Sequence, residues 1–580
     1  MNFYFLLIFR KSQIFFSYTN HANQMNRLRN LSSIETEEFD ICIIGGGATG
    51  MGCALDATLR GLKTILIEKN DFASATSSKS TKLFHGGVRY LEQAVKKFDR
   101  EQLRMVYKSL QERKVLIKNA PHLAHPLALM TPCSTWIEGA YYTVGLKIYD
   151  LLAGKTNLAP SDWLSKKEAI ARIPQLNGKK LNSAVLYYDG QFDDARYTIS
   201  LAKTADENGA TILNHVEVLG FEKNEEGKLG EMKIFDTLKK NNYSVKAKLF
   251  VNATGPFSDS IRIMATPSVL PRMRVSKGVH LVLPRDVMSP ETAILVPKTD
   301  DGRVIFIIPW QNRLLVGTTD EECELTEKEV LVNKNDVEYL LKYVNHYLQK
   351  PVTIEQVRSG FGGLRPLLQA DPSADTKSLV RDHEVEIDPK SGLISIMGGK
   401  WTTYRLMAKD TIDTCEEILR GGISECKTDQ QQLAGAENWT PDLYKSLMKQ
   451  YKIQEYIAKR LTTKYGSDAI KILNLIWKDG SLRMPVIEGS PVLRAEIIYA
   501  AVYEMGYTLK DVFARRLGLE LTDWDRTLEA IPIAASLMQE AFWWTDEEKE
   551  NYINEYTAEI IAFKESAGLP TNLADLYRNE

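Results

Sequence analysis

The sequence predicts an α/β protein with a Rossmann-type nucleotide-binding domain, an antiparallel sheet in the middle of the chain and an all-α domain at the C-terminal end. Three observations lead to this fold class. A glycine-rich turn separates an apolar strand from a helix near residue 45, β-rich segments follow around residues 303–317, and apolar residues recur at helical spacing after about residue 428. The chain has 580 residues, enough for two or three domains.

The glycine-rich turn has the spacing G-x-G-x-x-G at Gly45, Gly47 and Gly50. In such a turn the first glycine allows the tight bend, the second lets phosphate oxygens approach the backbone, and the third lets helix and strand pack closely. A helix that starts here directs free N–H groups and a positive dipole end at the phosphates. The turn, which also contains Ala48 and Thr49, therefore predicts a site for a dinucleotide pyrophosphate.

The segments around the turn agree with this prediction. Residues 40–44 have the composition of a buried strand, residues 48–60 suit a helix, and Gly61 ends that helix. The next strand, residues 63–68, ends in Glu68, where a carboxylate accepts hydrogen bonds from an adenosine ribose. Strand, glycines, helix, strand and acid thus occur in the order that the nucleotide site requires.

Composition restricts the function further. The formal net charge of −2 gives no general attraction to nucleic acid. The six cysteines include no C-x-x-C pair, and no histidine or cysteine cluster has ligand spacing, so neither a disulfide framework nor a metal site is predicted. No apolar run reaches the roughly 18 residues that a membrane span needs.

Residues 1–38 differ from the rest of the chain. An apolar run at residues 3–9 is followed by Arg10 and Lys11, and the first acidic residue is Glu35. This composition is typical of a mitochondrial presequence. Alternatively, translation begins at Met25 and the upstream stretch is not native protein. Residues 1–38 are therefore assigned to a leader or non-native extension, although the second interpretation removes only residues 1–24.

A hydroxyl-rich loop follows Glu68 and ends in the diglycine of His85-Gly86-Gly87. Composition alone favours a flexible surface loop. However, the apolar residues Leu83, Phe84 and Val88 suit a loop that packs against something.

These motifs resemble the FAD-dependent glycerol-3-phosphate dehydrogenase family, within the D-amino-acid-oxidase-like flavoproteins. The resemblance covers about residues 39–550. Its motifs occur in family order: GGGATG at 45–50, ATSSKSTKL at 75–83, HGGVRYL at 85–91, APHL at 120–123, YYDGQ at 187–191, VNATGPF at 251–257, GVHL at 278–281, DGRVIF at 301–306, GTTD at 317–320, LRPL at 364–367, SLVRDH at 378–383 and MGGKWTTYR at 397–405.

The resemblance implies FAD as cofactor and a glutathione-reductase-like arrangement of domains. Strand 214–218 would lie beside the adenine, the turn at 251–255 near the nucleotide, and the loop 396–403 over the flavin ring. Besides Gly45, Gly47, Ala48, Thr49, Gly50 and Glu68, the implied cofactor contacts are Ser77, Ser78, Lys82, Leu83, His85, Gly86, Gly87, Val216, Thr254, Gly255, Gly399 and Thr402.

The predicted domains interleave. The FAD-binding domain takes residues 39–120, 185–265 and 358–425, and the substrate domain takes residues 121–184 and 266–357. In the substrate domain, a short polar turn at Gln311-Asn312 predicts a hairpin. Residues 426–580 form the helical domain, with helices predicted at 493–505 and 525–538.

The implied substrate is glycerol 3-phosphate, a phosphorylated alcohol that needs a cationic clamp. By resemblance, the residues around it are Arg89, Tyr90, His280, Arg365, Arg381 and Lys400. His280 is the candidate general base, since a neutral histidine suits removal of a hydroxyl proton. An equal alternative is that it only hydrogen-bonds the substrate. Lys400 or Arg365 would stabilise the developing oxyanion.

The electron acceptor implied by the resemblance is ubiquinone or menaquinone, reached from a membrane surface; an oxidase that uses oxygen and a flavin protein without turnover are the alternatives. Residues 135–155, rich in tryptophan and tyrosine with Lys147 and Lys155, could contact lipid or form a buried helix. The sequence leaves open whether the protein forms a homodimer. The missing calcium-binding loop favours the cytoplasmic face of a bacterial inner membrane or the cytoplasm, with the mitochondrial inner membrane as alternative.

Overall fold

The computed structural model describes residues 25–288, 291–297, 299–369 and 383–571 of the chain. Its helices are α1 (Arg27–Thr36), α2 (Ala48–Leu59), α3 (Val88–Lys97), α4 (Arg100–Asn119), α5 (Trp136–Ala153), α6 (Lys166–Arg172), α7 (Asp194–Glu207), α8 (Ser258–Ala265), α9 (Lys334–Tyr347), α10 (Tyr404–Arg420), α11 (Leu443–Tyr451), α12 (Glu455–Tyr465), α13 (Ala469–Lys478), α14 (Arg494–Tyr503), α15 (Leu519–Thr522), α16 (Trp524–Phe542) and α17 (Asp546–Ser566).

The strands are β1 (Glu38–Ile44), β2 (Thr64–Ile67), β3 (Leu83–Phe84), β4 (Ala124–Cys133), β5 (Asp162–Ser165), β6 (Ser183–Phe192), β7 (Thr211–Leu213), β8 (Val216–Lys223), β9 (Leu229–Asp236), β10 (Asn241–Asn252), β11 (Met273–Pro284), β12 (Thr292–Val296), β13 (Ile305–Trp310), β14 (Arg313–Gly317), β15 (Glu321–Cys323), β16 (Ser359–Leu368), β17 (His383–Ile387) and β18 (Ile394–Gly398). Within the described residues they form one sheet of eight and one of ten strands.

The eight-stranded sheet is built around five parallel strands in the order β18-β10-β1-β2-β7. Numbered along the chain, this is the 3-2-1-4-5 order of a Rossmann fold. The strand order reverses between β1 and β10, so a ligand site is expected beyond the carboxyl ends of these two strands. The predicted Rossmann-type domain is confirmed.

Helix α2 packs closely on the turn after β1, and Gly50 is the contact point. A β-carbon on Gly50 would lie 1.9 Å from the carbonyl oxygen of Gly45. Only glycine fits at that distance, as the motif predicts. Gly61, at φ +75°, follows the end of the helix, also as predicted.

The ten-stranded sheet is mostly antiparallel and follows the order β15-β11-β14-β13-β12-β4-β6-β3, with β16 paired to β11 and β5 to β6. Its one exception among the described pairs is the parallel contact of β12 with β4. The predicted hairpin is present: β13 and β14 pair from Trp310 and Arg313 outward, and Gln311 and Asn312 both have positive φ. Two residues with positive φ are typical of a type I′ turn.

Two segments that the sequence analysis assigns to the FAD-binding domain lie in this second sheet instead. β6 pairs with β4 over its whole length, and β16 pairs with β11 from Ser359 to Leu368. The composition of a strand does not indicate which sheet it joins, because the pairing depends on segments far away along the chain.

Residues 27–36, which the sequence analysis assigns to a leader, form the folded helix α1. The guanidinium of Arg27 bonds Asp236 at 2.8 Å, and the amide of Asn30 donates to the carbonyl oxygen of Ile212 at 2.9 Å. The side chains of Leu31 and Ile34 are buried. This helix therefore belongs to the nucleotide-binding domain, and residues 1–24 lie outside the described part of the chain.

The C-terminal region is helical, as predicted. The predicted helices at 493–505 and 525–538 are α14 and α16. Between them, residues Asp511–Leu517 form a buried π-helix that packs beside α14 and α15. In the described ranges, no helix combines the length and the apolar character that crossing a bilayer requires.

Candidate functional site

A cavity of about 540 Å³ lies beyond the carboxyl ends of β1 and β10, at the point where the strand order reverses. Such a volume is usual for a small-molecule site. Of the predicted cofactor residues, those that line it are Gly45, Gly47, Ala48, Thr49, Glu68, Ser77, Leu83, His85, Val216, Thr254, Gly255, Gly399 and Thr402. The predicted substrate residues Tyr90, His280, Arg365 and Lys400 line the same cavity.

The N-terminus of α2 forms one wall of this cavity. Gly47 occupies the N-cap position and makes no side-chain capping bond, so N–H groups of the first turn remain for a ligand. The hydroxyl of Ser77 accepts from the Ala48 N–H at 2.9 Å, and a β-carbon on Gly47 would lie 2.9 Å from the same hydroxyl. Ser77 thus lies directly against the turn that would hold phosphates.

Glu68 lies at the end of β2 and is held by backbone groups. Its carboxylate accepts from the N–H of Gly46 at 2.6 Å and from that of Asn70 at 2.8 Å. Burial raises the pKa of Glu68, although these two hydrogen bonds act in the opposite direction. The N–H of Val216 donates to the Glu68 carbonyl oxygen at 2.8 Å, so the acid and the predicted adenine strand are directly connected.

His280 enters the cavity from β11 of the second sheet. Its Nε2 lies 3.0 Å from the hydroxyl of Thr81, and its ring stacks on Phe361 with centroids 4.9 Å apart. Burial, followed by the positive charges of Arg365 and Lys82, holds the pKa of His280 well below its usual value. The imidazole is therefore neutral at physiological pH, the form that can accept a proton.

Arg365 reaches the cavity from β16. Its guanidinium bonds the Asp320 carboxylate at 2.8 Å, the Thr318 hydroxyl at 3.1 Å and the Thr319 carbonyl oxygen at 2.9 Å. Thr318, Thr319 and Asp320 come from the G-T-T-D motif. These bonds fix the guanidinium in one orientation beside Gly278, and a fixed guanidinium suits recognition of a phosphate.

Lys400 lies in the loop that follows β18. Its ammonium lies 3.9 Å from the centroid of the Tyr90 ring and contacts the sulfur of Met105 at 3.4 Å. The indole N–H of Trp401 donates to the Ser77 carbonyl oxygen at 3.0 Å. The loop therefore connects the glycine-rich wall of the cavity with the end that contains Tyr90.

Other predicted cofactor residues lie behind the cavity wall. Gly50, Ser78, Gly86 and Gly87 are buried next to lining residues. Lys82 differs most from its prediction. Its fully buried ammonium donates to Asp194 at 2.5 Å and to the Ser78 carbonyl oxygen at 2.7 Å. Asp194 is 112 residues away along the chain, so spacing alone could not indicate this pairing.

Tyr149 holds the diglycine loop and has no signal in the sequence. Its hydroxyl accepts from the Gly86 N–H at 2.7 Å and donates to Asp189 at 2.9 Å. Arg113 completes this buried group with a bond to Asp189 at 2.5 Å. Thr81 is the other functional neighbour that sequence reasoning missed; its only indication is its position in the hydroxyl-rich motif.

Two predicted phosphate-binding residues are not described. Arg381 lies outside the described residues, and Arg89 lies in α3 with a side chain outside the described part. Both remain predictions from the motif.

Among the residues that the structure describes, one trio has oxygen and nitrogen atoms close enough for a metal ion: Asp71, His215 and Asp511, within 4.8 Å of one another. However, Arg515 and Arg516 bond Asp71, and Arg515 also bonds Asp511. Two arginines already balance the two carboxylates, so this group is an ion-pair network. A metal ion would have to displace these bonds.

Comparison with known proteins agrees with the interpretation of the cavity as a dinucleotide site. Residues 40–405 match the model of the family described as FAD dependent oxidoreductase, and residues 426–549 match the C-terminal domain of alpha-glycerophosphate oxidase. The mitochondrial glycerol-3-phosphate dehydrogenase of Mesocricetus auratus is 41% identical over 528 residues, which cover 89% of this chain and 72% of the relative. This chain belongs to the FAD-dependent glycerol-3-phosphate dehydrogenase family.

A second relative and a solved structure are also similar to this chain. The probable mitochondrial glycerol-3-phosphate dehydrogenase of Caenorhabditis elegans is 42% identical over 90% of this chain and 73% of its own length. The crystal structure of the glycerol-3-phosphate dehydrogenase from Bacillus halodurans, complexed with FAD, has a TM-score of 0.75 at 29% identity, and the match covers 94% of this chain and 98% of that one.

FAD is the cofactor of this flavoprotein family, and the cavity fits it. The N-terminus of α2 offers uncapped N–H groups to a pyrophosphate, and Gly47 leaves the space that a side chain would fill. Glu68 and Val216, which the sequence predicts at the adenosine end, line the same cavity. The predicted fold, cofactor and enzyme family are all confirmed.

The burial of His280 predicts how its ring titrates. Its pKa is lowered, so the ring should stay neutral as the pH falls through 6.5. His215 should behave in the opposite way: burial disfavours its charged form, but the neighbouring Asp511 outweighs burial and raises its pKa. NMR of ring-labelled histidine measures both, with His280→Gln and His215→Gln variants for assignment. A His280 signal that titrates at pH 6.5 or above would contradict the low pKa.

Proposed function

We propose that this protein oxidises sn-glycerol 3-phosphate to dihydroxyacetone phosphate and passes the electrons to a membrane quinone. The observation that supports this most directly is the set of polar side chains that share the cavity with the phosphate-binding turn. Two cations, Arg365 and Lys400, and the neutral imidazole of His280 line the same cavity as the phosphate-binding turn. The family relationship supplies the substrate class.

Each of these residues has a separate role in the proposed reaction. When bound, FAD supplies the hydride acceptor. Arg365, fixed by Asp320, and Lys400, held over Tyr90, bind the phosphate and stabilise negative charge on the substrate oxygen. His280 takes the hydroxyl proton on its unprotonated ring nitrogen. Thr81 and Phe361 keep the ring in place.

Anaerobic half-reactions test this function. Addition of glycerol 3-phosphate to the oxygen-free holoprotein should bleach the flavin absorbance, because hydride is transferred before any acceptor is present. A short-chain quinone or oxygen is then added. Fast recovery with quinone and slow recovery with oxygen is the expected outcome. Absence of bleaching would refute the substrate.

Oxygen as acceptor is the second candidate, since residues 426–549 match a domain named after alpha-glycerophosphate oxidase. The recovery step of the same experiment decides between the two, because an oxidase would recover fast with oxygen.

Arg365→Gln should lower kcat/KM for glycerol 3-phosphate by roughly 10²-fold, because a charge-assisted hydrogen bond to a phosphate contributes about 1.5–3 kcal/mol. The flavin absorbance spectrum should be unchanged. Arg274→Gln is the matched control, since Arg274 lies on the partner strand β11, pairs with Glu322 and does not line the cavity. If Arg365→Gln lowered kcat/KM no more than Arg274→Gln does, Arg365 would be excluded from phosphate binding.

We further propose that α5 contacts the membrane. Its outer face carries Ile137, Val144 and Leu151, which are 62%, 61% and 80% exposed. Residues seven apart lie on one face of a helix, so these side chains form a continuous apolar stripe. Leu146, Tyr149 and Ala153 are buried on the opposite face. The helix is therefore half buried, which combines the two alternatives from the sequence.

The basic residues at this helix are arranged differently from the prediction. The Lys147 ammonium bonds the Ser161 carbonyl oxygen, whereas Lys155 is exposed just beyond the helix. Lys96 of the neighbouring helix α3 lies over the Tyr141 ring, is exposed and pairs with Glu92 at 2.6 Å. An exposed apolar stripe with cations at its margin suits an anionic lipid surface.

Val144→Asp should weaken binding to vesicles that contain anionic lipid by roughly tenfold or more, because a charged side chain replaces a lipid-facing apolar one. Leu219→Asp is the control, since Leu219 is 53% exposed on β8, in the other sheet. Cosedimentation with vesicles measures both. If Leu219→Asp weakened binding as much as Val144→Asp, or neither did, α5 would not be the contact.

The mitochondrial inner membrane is the proposed location. The named relatives from Mesocricetus auratus and Caenorhabditis elegans are mitochondrial enzymes, which agrees with the alternative from the sequence and not with the bacterial membrane placed first.

A further inference from the structure

One wall of the cofactor cavity is a loop that the C-terminal helical domain holds from behind. Residues 68–81 connect β2 to the diglycine segment, and most of them line the cavity. The loop has little regular structure of its own, apart from a short turn at Thr76–Ser78. Its shape must therefore come from the groups that bind it.

Asp71 is the strongest attachment. Its carboxylate is bonded by Arg515, by both terminal nitrogens of Arg516, one of them at 2.9 Å, and by the Asn214 amide at 3.0 Å. Asp71 and Arg516 are fully buried. Breaking a buried ion pair by removing one partner is strongly unfavourable, because the remaining charge is left without compensation.

The two arginines come from the π-helix of the C-terminal domain. Arg515 and Arg516 are consecutive, yet both reach the same carboxylate from Asp511–Leu517. The same π-helix provides Asp511, which bonds His215 at 2.8 Å. Short π-helical segments are rare and occur frequently at functional positions.

The bond to His215 reaches the adenosine end of the cavity. The N–H of His215 donates to the Asn70 carbonyl oxygen at 2.7 Å, and the next N–H, that of Val216, donates to Glu68. The loop and strand β8 are thus fixed to each other and to the π-helix. A third attachment lies at Lys79, whose ammonium bonds Glu329 at 2.7 Å and lies 4.0 Å from Glu520 of α15.

We propose that the C-terminal domain is a clamp for FAD, in which Asp71 is the positioning residue that holds the 68–81 loop in the shape that the cofactor requires. The affinity for FAD should then depend on contacts that lie outside the nucleotide-binding domain and do not touch the cofactor. This inference depends on the cofactor of the family and not on the identity of the substrate.

The test is the FAD dissociation constant of Asp71→Asn. This variant preserves the shape of the side chain and removes its charge, so it weakens the attachment to Arg515 and Arg516. The dissociation constant, measured by titrating apoprotein with FAD and following flavin fluorescence, should rise at least about tenfold, equivalent to about 1.4 kcal/mol. The unfolding temperature of the apoprotein is measured alongside it.

Asp468→Asn is the matched control. Its carboxylate bonds the Lys203 ammonium and accepts from the Tyr499 hydroxyl at 2.9 Å, so it forms a largely buried ion pair between α7 and the C-terminal domain that does not contact Arg516. Neither Asp468 nor Lys203 lines the cavity. The control should lower the unfolding temperature but leave the FAD dissociation constant within about twofold of the unchanged protein.

Two results would overturn the clamp. The first is an unchanged dissociation constant in Asp71→Asn. The second is an equal rise in both variants, which would show a general loss of stability. If Asp71→Asn does not fold, Arg515→Gln replaces it, since Arg516 still bonds Asp71 there; the same two outcomes apply.

Discussion

The approach of helix α2 to the turn after β1 is the constraint on which the rest of the site depends. Because Gly50 has no side chain, the first turn of the helix lies directly over the Gly45 carbonyl group, and its N–H groups point beyond the ends of the parallel strands. Ser77, Glu68 and the loop of Lys400 are all arranged around this turn. A bulkier residue at Gly50 would move the helix and with it the phosphate-binding wall.

The second sheet adds the proposed reactive groups, His280 and Arg365, to the same cavity. β11 and β16 are neighbours, so His280 and Arg365 reach one cavity from adjacent strands. Their proximity also explains the electrostatics. An imidazole that is buried beside a guanidinium stays neutral, so that a ring nitrogen is unprotonated and can accept a proton. The lowered pKa also makes this imidazole a weaker base. The chain passes repeatedly between the two sheets, and this is why residues far apart in sequence meet at one place.

Buried ion pairs connect these parts. Lys82 with Asp194, Arg113 with Asp189, and Arg516 with Asp71 each join elements that are distant along the chain. Such pairs contribute little net stability, but each is strongly unfavourable when one partner is missing. They therefore act as positional constraints. Through Tyr149, one of them also connects the half-exposed helix α5 with the diglycine loop beside His85.

The sequence by itself determined the Rossmann-type domain, its dinucleotide-binding turn and the hairpin at Gln311. These features depend on local spacing, and the glycine positions and the turn residues Gln311 and Asn312 are read directly from neighbouring residues. Most of the site residues that it named line the cavity, because they lie in contiguous motifs.

Only the tertiary structure decided which of the predicted cations line the cavity. Lys82 and Arg365 are both cations in matching motifs, but Lys82 is buried against Asp194, whereas Arg365 lines the cavity. The membership of β6 and β16 in the second sheet and the attachment of Asp71 to the C-terminal domain were equally hidden. Each depends on a partner that is 50 or more residues away, and spacing along the chain carries no information about such long-range pairing.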